Sequence, residues 1–312
     1  MAITSAARNA IVEAMRGRVL RGLQAGTLIP GDRLPGSRDV AVEFEVDYRA
    51  AIAAYKELHA EGLVELRPRG GVYVAPRTPA AGGIPPISES WAAEIFASAL
   101  NRGIGAPELM DLLPRCLDTL RLRATVIAET EDQLHGLCRE LHDDFGFEAQ
   151  GVLSSDVRGV TPTSLVIRRA DLLVTVAAHG DWVSALGGEL QKEVIIIGVR
   201  PELRQGEWTM LLRRPVYVVV ATAQFGEMLR KFYAAIPGIE NLRILVLGTD
   251  DLASIPDGAP TYVTQGVRKQ LGATRIPGRI IPAARTIADA SAREIFAFIV
   301  RENLQALRRG EH

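Results

Sequence analysis

The sequence predicts an α+β winged helix-turn-helix followed by an α/β two-lobed domain with parallel sheets. Residues 26–74 have the pattern of a helix, a tight turn, a second helix and a two-stranded ribbon that turns at Gly70-Gly71. From residue 121 onward, short apolar runs alternate with helical patterns, which is typical of buried parallel strands joined by crossover helices. The expected divisions are a DNA-binding domain at 1–76, a Pro- and Gly-rich linker at 77–87, and an α/β effector-binding and dimerisation domain at 88–312.

Composition limits the class of protein. The chain has 312 residues, of which 47% are hydrophobic and 23% charged, as in ordinary globular proteins of two domains. Cys116 and Cys138 form no CxxC pair, so the sequence indicates neither a disulfide framework nor a zinc ribbon. There is no signal-peptide pattern and no apolar run of about 18 residues. We therefore expect a cytoplasmic protein without a membrane partner.

Charge gives little guidance on a polyanionic partner. The net charge is −1, and residues 1–76 carry ten Lys or Arg against nine Asp or Glu. A DNA-binding module usually has a larger basic surplus, so the basic residues of this one would have to lie on a single face.

Apolar spacing predicts the elements of the N-terminal domain. A helix is expected over 6–24, a short one from Gly36 or Ser37, and a third from near Asp47, which is a good N-cap. Two β-prone runs, 63–66 and 72–74, predict the hairpin. The expected inward-facing residues are Ile11, Met15, Val19, Leu23, Val40, Ala41, Phe44, Ala51, Tyr55 and Leu58.

A helix that enters the major groove needs polar or basic residues in its first turns, and a glycine-rich wing lets the backbone approach the minor groove. The candidate DNA-binding residues are Arg33, Ser37, Arg38, Tyr48, Arg49, Lys56, Arg67, Arg69, Gly70 and Gly71. The same residues could instead be solvated charges on a small module that contacts proteins, an alternative to which the near-neutral charge adds weight.

The motifs G-x-L-x-P-G-D-R-L-P (26–35) and A-Y-K-E-L-x-A-E-G-L-V (54–64), with Arg38 and the ending Gly-Val-Tyr-Val (71–74), resemble the DNA-binding domain of the GntR family of bacterial regulators. The Tyr-Lys-Glu-Leu form is similar to the YtrA and MocR branches. The resemblance implies a homodimeric transcription regulator, either a repressor or an activator, that binds double-stranded operator DNA, with Arg38 as a DNA contact.

Some positions depart from the family pattern. The family commonly has Ser-Arg or Asn-Pro at the start of the recognition helix and then a Thr-Val pair, whereas this chain has Asp47-Tyr48 and Ala50-Ala51. Gly36-Ser37 replaces the usual Ser-Glu, and Arg49 is not at the usual arginine. We therefore expect an operator that differs from the common family consensus.

The α/β part is expected to form two halves. Helical stretches at 88–102 and 106–120 could pack between domains or across a dimer. The predicted strands are 124–128, 149–153, 172–176, 194–199, 216–221, 244–247, 261–263 and 279–281, with helices between them and a closing helix over 291–307. A break at 213–215 separates two similar patterns, which suggests the two lobes and cleft of a periplasmic-binding-protein-like sensor.

Ligands of such sheets bind beyond the carboxyl ends of the strands. Hydroxyl and polar side chains there would suit a small anion or polar metabolite, although each could be a plain helix cap. The candidate effector-binding residues are Thr130, Thr175, His179, Asp181, Arg200, Thr222, Thr249 and Thr264.

Catalytic and cofactor motifs are not evident. The chain has no GxSxG, P-loop or GxGxxG after a strand, and His179, Asp181 and Ser184 are not spaced to form a triad. Residues 88–312 are too few for the aminotransferase-like domain of MocR proteins, so no PLP is expected. We expect no catalytic residue, cofactor or metal.

Two alternatives stay open. Glu131, His135, Cys138 and His142 lie along one flank of a predicted helix that a metal could use, but the same flank borders an apolar face typical of packing. The main interpretation is a transcription regulator whose operator affinity changes when a small effector binds the α/β domain. The alternative is an enzyme domain fused to a vestigial DNA-binding module.

Overall fold

The computed structural model of the protein describes residues 11–12, 15–20, 23, 28, 30–43, 46–68, 70–75, 89–118, 120–158, 164–204, 208, 211–212, 214–271, 276–281 and 285–310. The expected core residue Phe44 and the predicted linker lie outside the described residues.

The N-terminal unit is helical at residues 11–12, 15–20 and 23. It continues with α1 (Ser37–Glu43), α2 (Tyr48–Ala60), β1 (Val64–Arg67) and β2 (Gly71–Val74), and the two strands pair antiparallel. Asp47 caps α2, and Gly62 follows it with φ +70°, a backbone conformation that glycine adopts without strain. The winged helix-turn-helix predicted from the sequence is therefore confirmed.

One core holds this unit together. It includes Met15, Val40, Ala51, Leu58 and Val74, each almost fully buried. The turn before α1 extends the ribbon, because Leu34 donates its amide to Val72 O at 2.8 Å and Gly31 donates to Val74 O at 2.9 Å. The Tyr55 hydroxyl donates to Pro35 O at 2.6 Å, which fixes the entry to α1 against α2.

Two helices precede the sheets. They are α3 (Glu89–Leu100) and α4 (Ala106–Leu117), slightly shorter than the stretches predicted. Between them the chain turns at Gly103, which has φ +77°.

The first sheet is fully parallel. It contains β3 (Arg123–Ala128), β4 (Glu148–Leu153), β5 (Leu172–Val176) and β6 (Glu193–Ile197) in the order β4-β3-β5-β6. Its helices are α5 (Glu131–Phe145), α6 (Ser154–Val157), α7 (Leu165–Arg169) and α8 (Gly180–Leu190). The sequence did not indicate α6 and α7, because helices of four and five residues are too short to show a helical period.

The second sheet is also parallel. It contains β7 (Val216–Val220), β8 (Leu242–Val246), β9 (Pro260–Val263) and β10 (Arg279–Ile281) in the order β10-β9-β7-β8. Its helices are α9 (Ala223–Tyr233) and α10 (Gln265–Leu271). Each sheet therefore has its first strand between its second and third. In such sheets the strand order reverses beside the first strand, and ligands bind in the crevice formed there.

The last helix, α11 (Asp289–Arg309), packs back on the first sheet. Ile295 and Phe298 share a core with Ala124 and Leu172, and the Phe298 ring stacks on Phe147 with centroids 6.3 Å apart. The buried Asn303 accepts the Leu120 amide at 2.7 Å. The first sheet is thus covered by a helix that follows the second sheet in the chain.

Candidate nucleic-acid interface

The wing gathers four of the predicted DNA-binding residues. Gly71 has φ +108°, and a Cβ at this position would lie 3.4 Å from Arg33 Nε. Arg67 stacks over the Tyr73 ring at 4.2 Å from its centroid. Gly70 accepts the Tyr73 hydroxyl at 3.1 Å, which closes the turn. Arg33 and Arg67 therefore flank a tip at Gly70-Gly71 that has almost no side-chain bulk. Arg69 lies outside the described residues.

Arg67 also forms a surface ion pair. Its Nη2 donates to Glu65 Oε2 at 2.9 Å, and both side chains are exposed. This hydrogen bond raises the pKa of Arg67 and lowers that of Glu65. The pair positions the guanidinium, but exposed pairs contribute little to stability.

The start of α2 carries the second group of predicted residues. Asp47 Oδ1 accepts the Arg49 amide at 2.7 Å, so Asp47 acts as the helix cap expected from its position. This cap points Tyr48 and Arg49 outward, where both are exposed. Lys56 lies two turns further along and is also exposed. One outer face of α2 therefore carries Tyr48, Arg49 and Lys56.

The first helix of the motif adds Ser37 and Arg38. Arg38 is exposed, and its guanidinium carbon lies 6.0 Å from the centroid of the Tyr48 ring, within reach of a cation–π contact. Ser37 begins α1 and is partly exposed. These contacts connect the start of α1 with the start of α2.

In the second sheet, two of the predicted effector residues converge on a carboxylate that sequence reasoning missed. Asp132, in the first turn of α5, is 3% exposed. It accepts the amides of Ala221 and Thr222 at 3.0 Å each, and the Thr222 hydroxyl at 3.1 Å. The Thr264 hydroxyl also donates to it. Thr222 follows β7 and Thr264 follows β9, so Asp132 fills the crevice of the second sheet.

Further contacts surround this junction. Gln224 Nε2 donates to Glu129 Oε1 at 2.7 Å, and Arg139 Nη1 donates to Gln265 Oε1 at 3.2 Å. A Cβ on Gly266 would come within 3.2 Å of His135 Nδ1, which means that α10 approaches α5 closely. The sequence signals only an acidic first turn at Asp132. It cannot show that this carboxylate accepts hydrogen bonds from groups 89 to 132 residues away.

The first sheet places three predicted effector residues near its own carboxyl edge. Thr130 is buried and caps α5 by accepting the Gln133 amide at 3.3 Å. Thr175 is buried inside β5 and donates to Ile127 O at 2.8 Å. His179, just after β5, is buried, and its Nε2 has no hydrogen-bond partner in the described part of the chain. The Trp182 indole N–H is also buried without a partner among those residues, and the two rings meet edge to face at 5.9 Å.

The remaining predicted effector residues are dispersed. Asp181 is exposed in the first turn of α8, and Thr249 is exposed in the turn after β8. Arg200 bonds Asp289 at the start of α11. Nearby, Glu140 accepts the amides of Thr286 and Ile287 at 2.8 and 2.9 Å. Burial nevertheless raises the pKa of Glu140, and the two amide hydrogen bonds and the charge of Arg200 oppose that shift in part.

The flank of α5 considered for a metal makes other contacts. The ring nitrogens Nδ1 of His135 and His142 lie 2.8 and 3.1 Å from the carbonyl oxygens of Glu131 and Phe147. Burial raises the pKa of the Cys138 thiol to about 12, so this cysteine is a thiol rather than a thiolate at neutral pH. Among the described residues, no three His, Cys, Asp or Glu side chains group as metal ligands would.

None of the helices in the described part of the chain combines the length and apolar character needed to cross a bilayer.

Comparison with known proteins supports the geometry of the N-terminal unit. Residues 11–74 match the family model for bacterial regulatory proteins of the gntR family. The HTH-type transcriptional regulator Rv1152 of Mycobacterium tuberculosis is 37% identical over 65 residues, which are 21% of this chain and 54% of that protein. Residues 11–74 form a winged helix-turn-helix domain of the GntR family.

Two solved structures give more distant likenesses. YtrA from Sulfolobus acidocaldarius, a GntR-family transcription factor, is 24% identical, with a TM-score of 0.21 over 37% of this chain and 94% of that one. A mitochondrial ornithine carbamoyltransferase from Coccidioides immitis is 12% identical, with a TM-score of 0.22; the match covers 69% of this chain and 90% of that one. The chain spans about half the length of the curated relative it matches. The family assignment therefore rests on the GntR-type domain.

Proposed function

We propose that this protein is a sequence-specific, DNA-binding transcription regulator. The observation that carries the proposal is the GntR-type domain, which presents Arg38, Tyr48, Arg49 and Lys56 on one exposed surface. The wing adds Arg33 and Arg67 beside a glycine tip. This arrangement gathers cations where a duplex would lie, and such local clustering supports DNA binding even though the domain as a whole is nearly neutral.

Replacing single arginines tests the proposal. Full-length protein is titrated into labelled duplexes that carry its own upstream region, at low salt. We expect Arg38→Ala and Arg49→Ala to weaken binding about ten-fold or more. Arg230→Ala is the matched control, since Arg230 is an exposed arginine on α9. Binding that is absent in the wild type, or unchanged in both variants, would refute the proposal.

We further propose that the protein acts as a homodimer through α3 and α4. These helices expose large apolar side chains on adjoining elements, including Leu100 (66%) and Met110 (62%) as well as Phe96 and Leu113. Exposed apolar patches of this kind mark interaction sites, and a two-fold dimer would present two winged helices to two half-sites. Leu100→Asp should yield monomers in light scattering, while Leu165→Asp, at an equally exposed leucine, should not.

The α/β part is proposed to be a sensor of two lobes, of the periplasmic-binding-protein type, rather than an enzyme. Two observations support this proposal. The two sheets have the same strand order, and Asp132 of α5 accepts hydrogen bonds from residues that follow strands of the second sheet. Asp132 fills the second crevice, so the first crevice is the better candidate for a small polar effector. It contains Thr130 and the ring nitrogen Nε2 of His179, for which the described residues provide no hydrogen-bond partner. Operator affinity would change if the effector bound the two arrangements of the dimer unequally.

A thermal-shift screen of the full chain against small anions and polar metabolites tests the sensor. A true effector should raise the melting temperature of the wild type and fail to raise that of His179→Ala. Glu189→Ala, at an exposed residue near the other end of α8, is the control if the effector sits in the first crevice. A shift that survives His179→Ala would place the effector elsewhere.

A further inference from the structure

The outer face of α2 contains apolar side chains between its two cations. The residues Ala50, Ala51, Ala54, Tyr55 and Leu58 face the core. The opposite side carries Tyr48, Arg49, Ile52, Ala53 and Lys56, of which Ile52 and Ala53 are partly exposed. Two cations therefore bracket a stretch that has few hydrogen-bonding groups to offer to bases.

A concavity of about 410 Å³ opens beside the start of this face. Its lining is Arg38, Ala41, Val42, Val46 and Tyr48. Val42 is 80% exposed and Tyr48 46% exposed. A valine this exposed at the end of α1 contributes little to the core, and its side chain is available to a partner outside the protein.

Two of the residues that line the concavity, Arg38 and Tyr48, belong to the surface proposed to bind DNA, which favours nucleic acid as the occupant. Arg38 lines the concavity, and Arg49, the residue after the lining Tyr48, is also exposed. Two carboxylates of this segment make local backbone contacts: Asp39 accepts the Gly36 amide at 3.0 Å, and Asp47 caps α2. A cation beside an apolar floor fits a phosphate at the side and an apolar base edge at the floor.

In the major groove, the apolar group that identifies a base is the C5-methyl of thymine. 5-Methylcytosine carries the same group. We propose that the concavity formed by Val42, Ala41, Val46 and Tyr48 reads the C5-methyl group of a pyrimidine in the operator. The inference rests on the proposed DNA-binding function and specifies which base feature that surface recognises.

The test begins with selection of bound duplexes from a random library by the full-length protein, in unmethylated form and in CpG-methylated form. Each thymine of the enriched half-site is then replaced by deoxyuridine, which lacks only the methyl group. Burying one methyl group corresponds to about a four-fold change in affinity. We expect at least one position where deoxyuridine weakens binding by about this factor.

A variant links the effect to the concavity. Val42→Ala should bind thymine and deoxyuridine at that position within about two-fold of each other, and it should melt as the wild type does because Val42 is exposed. Leu165→Ala, a truncation of an exposed leucine in α7, should keep the four-fold preference. Enrichment only from the methylated library would identify 5-methylcytosine as the source of the methyl group, and enrichment from the unmethylated one would identify thymine.

The possible results distinguish a failure of methyl recognition by the concavity from a failure of the proposed DNA binding. A selected site with no methyl-sensitive position would overturn the inference and leave DNA binding intact. A methyl-sensitive position that Val42→Ala leaves unchanged would also overturn it, because the methyl would then be read elsewhere. Failure to enrich any duplex would overturn the proposed function itself.

Discussion

Removing the Asp132 carboxylate should destabilise the α/β part strongly. Asp132 is 3% exposed and serves four donors: the amides of Ala221 and Thr222 and the hydroxyls of Thr222 and Thr264. In Asp132→Ala the hydroxyls can rotate to other acceptors, but the two amides are fixed by the backbone. Each buried donor left without an acceptor costs about 1–3 kcal/mol, so we expect a loss of about 4 kcal/mol.

Calorimetry of the full chain measures the effect. For a unit the size of the α/β part, about 2–4 °C of melting temperature correspond to each kcal/mol, so its transition should fall by about 8–16 °C. Asp132 also joins groups of the two sheets, and its loss should separate their melting into two transitions. The transition of the winged helix should stay in place.

The matched control is Asp143→Ala on the same helix. Asp143 pairs with Arg139 at 3.0 Å and is 51% exposed, and a surface pair of this kind contributes about 0.5 kcal/mol or less. Asp132→Asn keeps the shape of the side chain but places its NH2 group against the donors that the carboxylate accepts, so this variant should also destabilise the α/β part. If Asp132→Ala lowered stability by less than about 1 kcal/mol, the carboxylate would not be what holds the crevice together.

Three further changes can be measured. Burial raises the pKa of Glu140 above its ordinary 4.5, so the protonated side chain stabilises the fold fully below pH 4.5, and this stabilisation is lost as the pH rises through the raised pKa. Urea unfolding at about pH 4 and about pH 7 should show the loss in the wild type and not in Glu140→Gln. With a pKa of about 12, the Cys138 thiol should resist iodoacetamide at about pH 8 in the native protein and react once the chain is unfolded. Mass spectrometry of the labelled peptide measures both rates, and fast labelling of the native protein would contradict the prediction. Tyr55 is 3% exposed, and Tyr55→Phe, which removes the donor to Pro35 O, should destabilise the winged helix by about 1–2 kcal/mol. Tyr73→Phe, at a less buried residue, should destabilise it less.

The elements of both parts could be predicted because their signals are local. The spacing of Val40, Ala51 and Leu58 indicates which faces of the helices are buried, and these residues lie in one core. Asp47 was expected as a cap and acts as one. Apolar runs such as 172–176 and 216–220 correspond to β5 and β7, since strands covered on both faces need apolar side chains throughout.

The contacts that define the candidate sites depend on distant parts of the chain. Hydroxyls after strands, such as Thr222 and Thr264, were correctly placed at the carboxyl edges, but no local pattern shows that they bind a carboxylate of the same chain. The same holds for Val42, which has an ordinary place in the helical pattern of α1. Only the folded arrangement shows that it is 80% exposed beside Tyr48.

The position of α11 has a consequence for how the protein is made. The core of the first sheet needs Ile295 and Phe298, and Leu120 bonds Asn303 across 183 residues of sequence. Local elements and N-terminal domains fold first during synthesis, so the winged helix can be complete while the first sheet still has an uncovered face. Ribosomes must therefore translate through residue 303 before that sheet is covered. A message truncated earlier would release a winged-helix domain whose attached α/β part lacks part of its core.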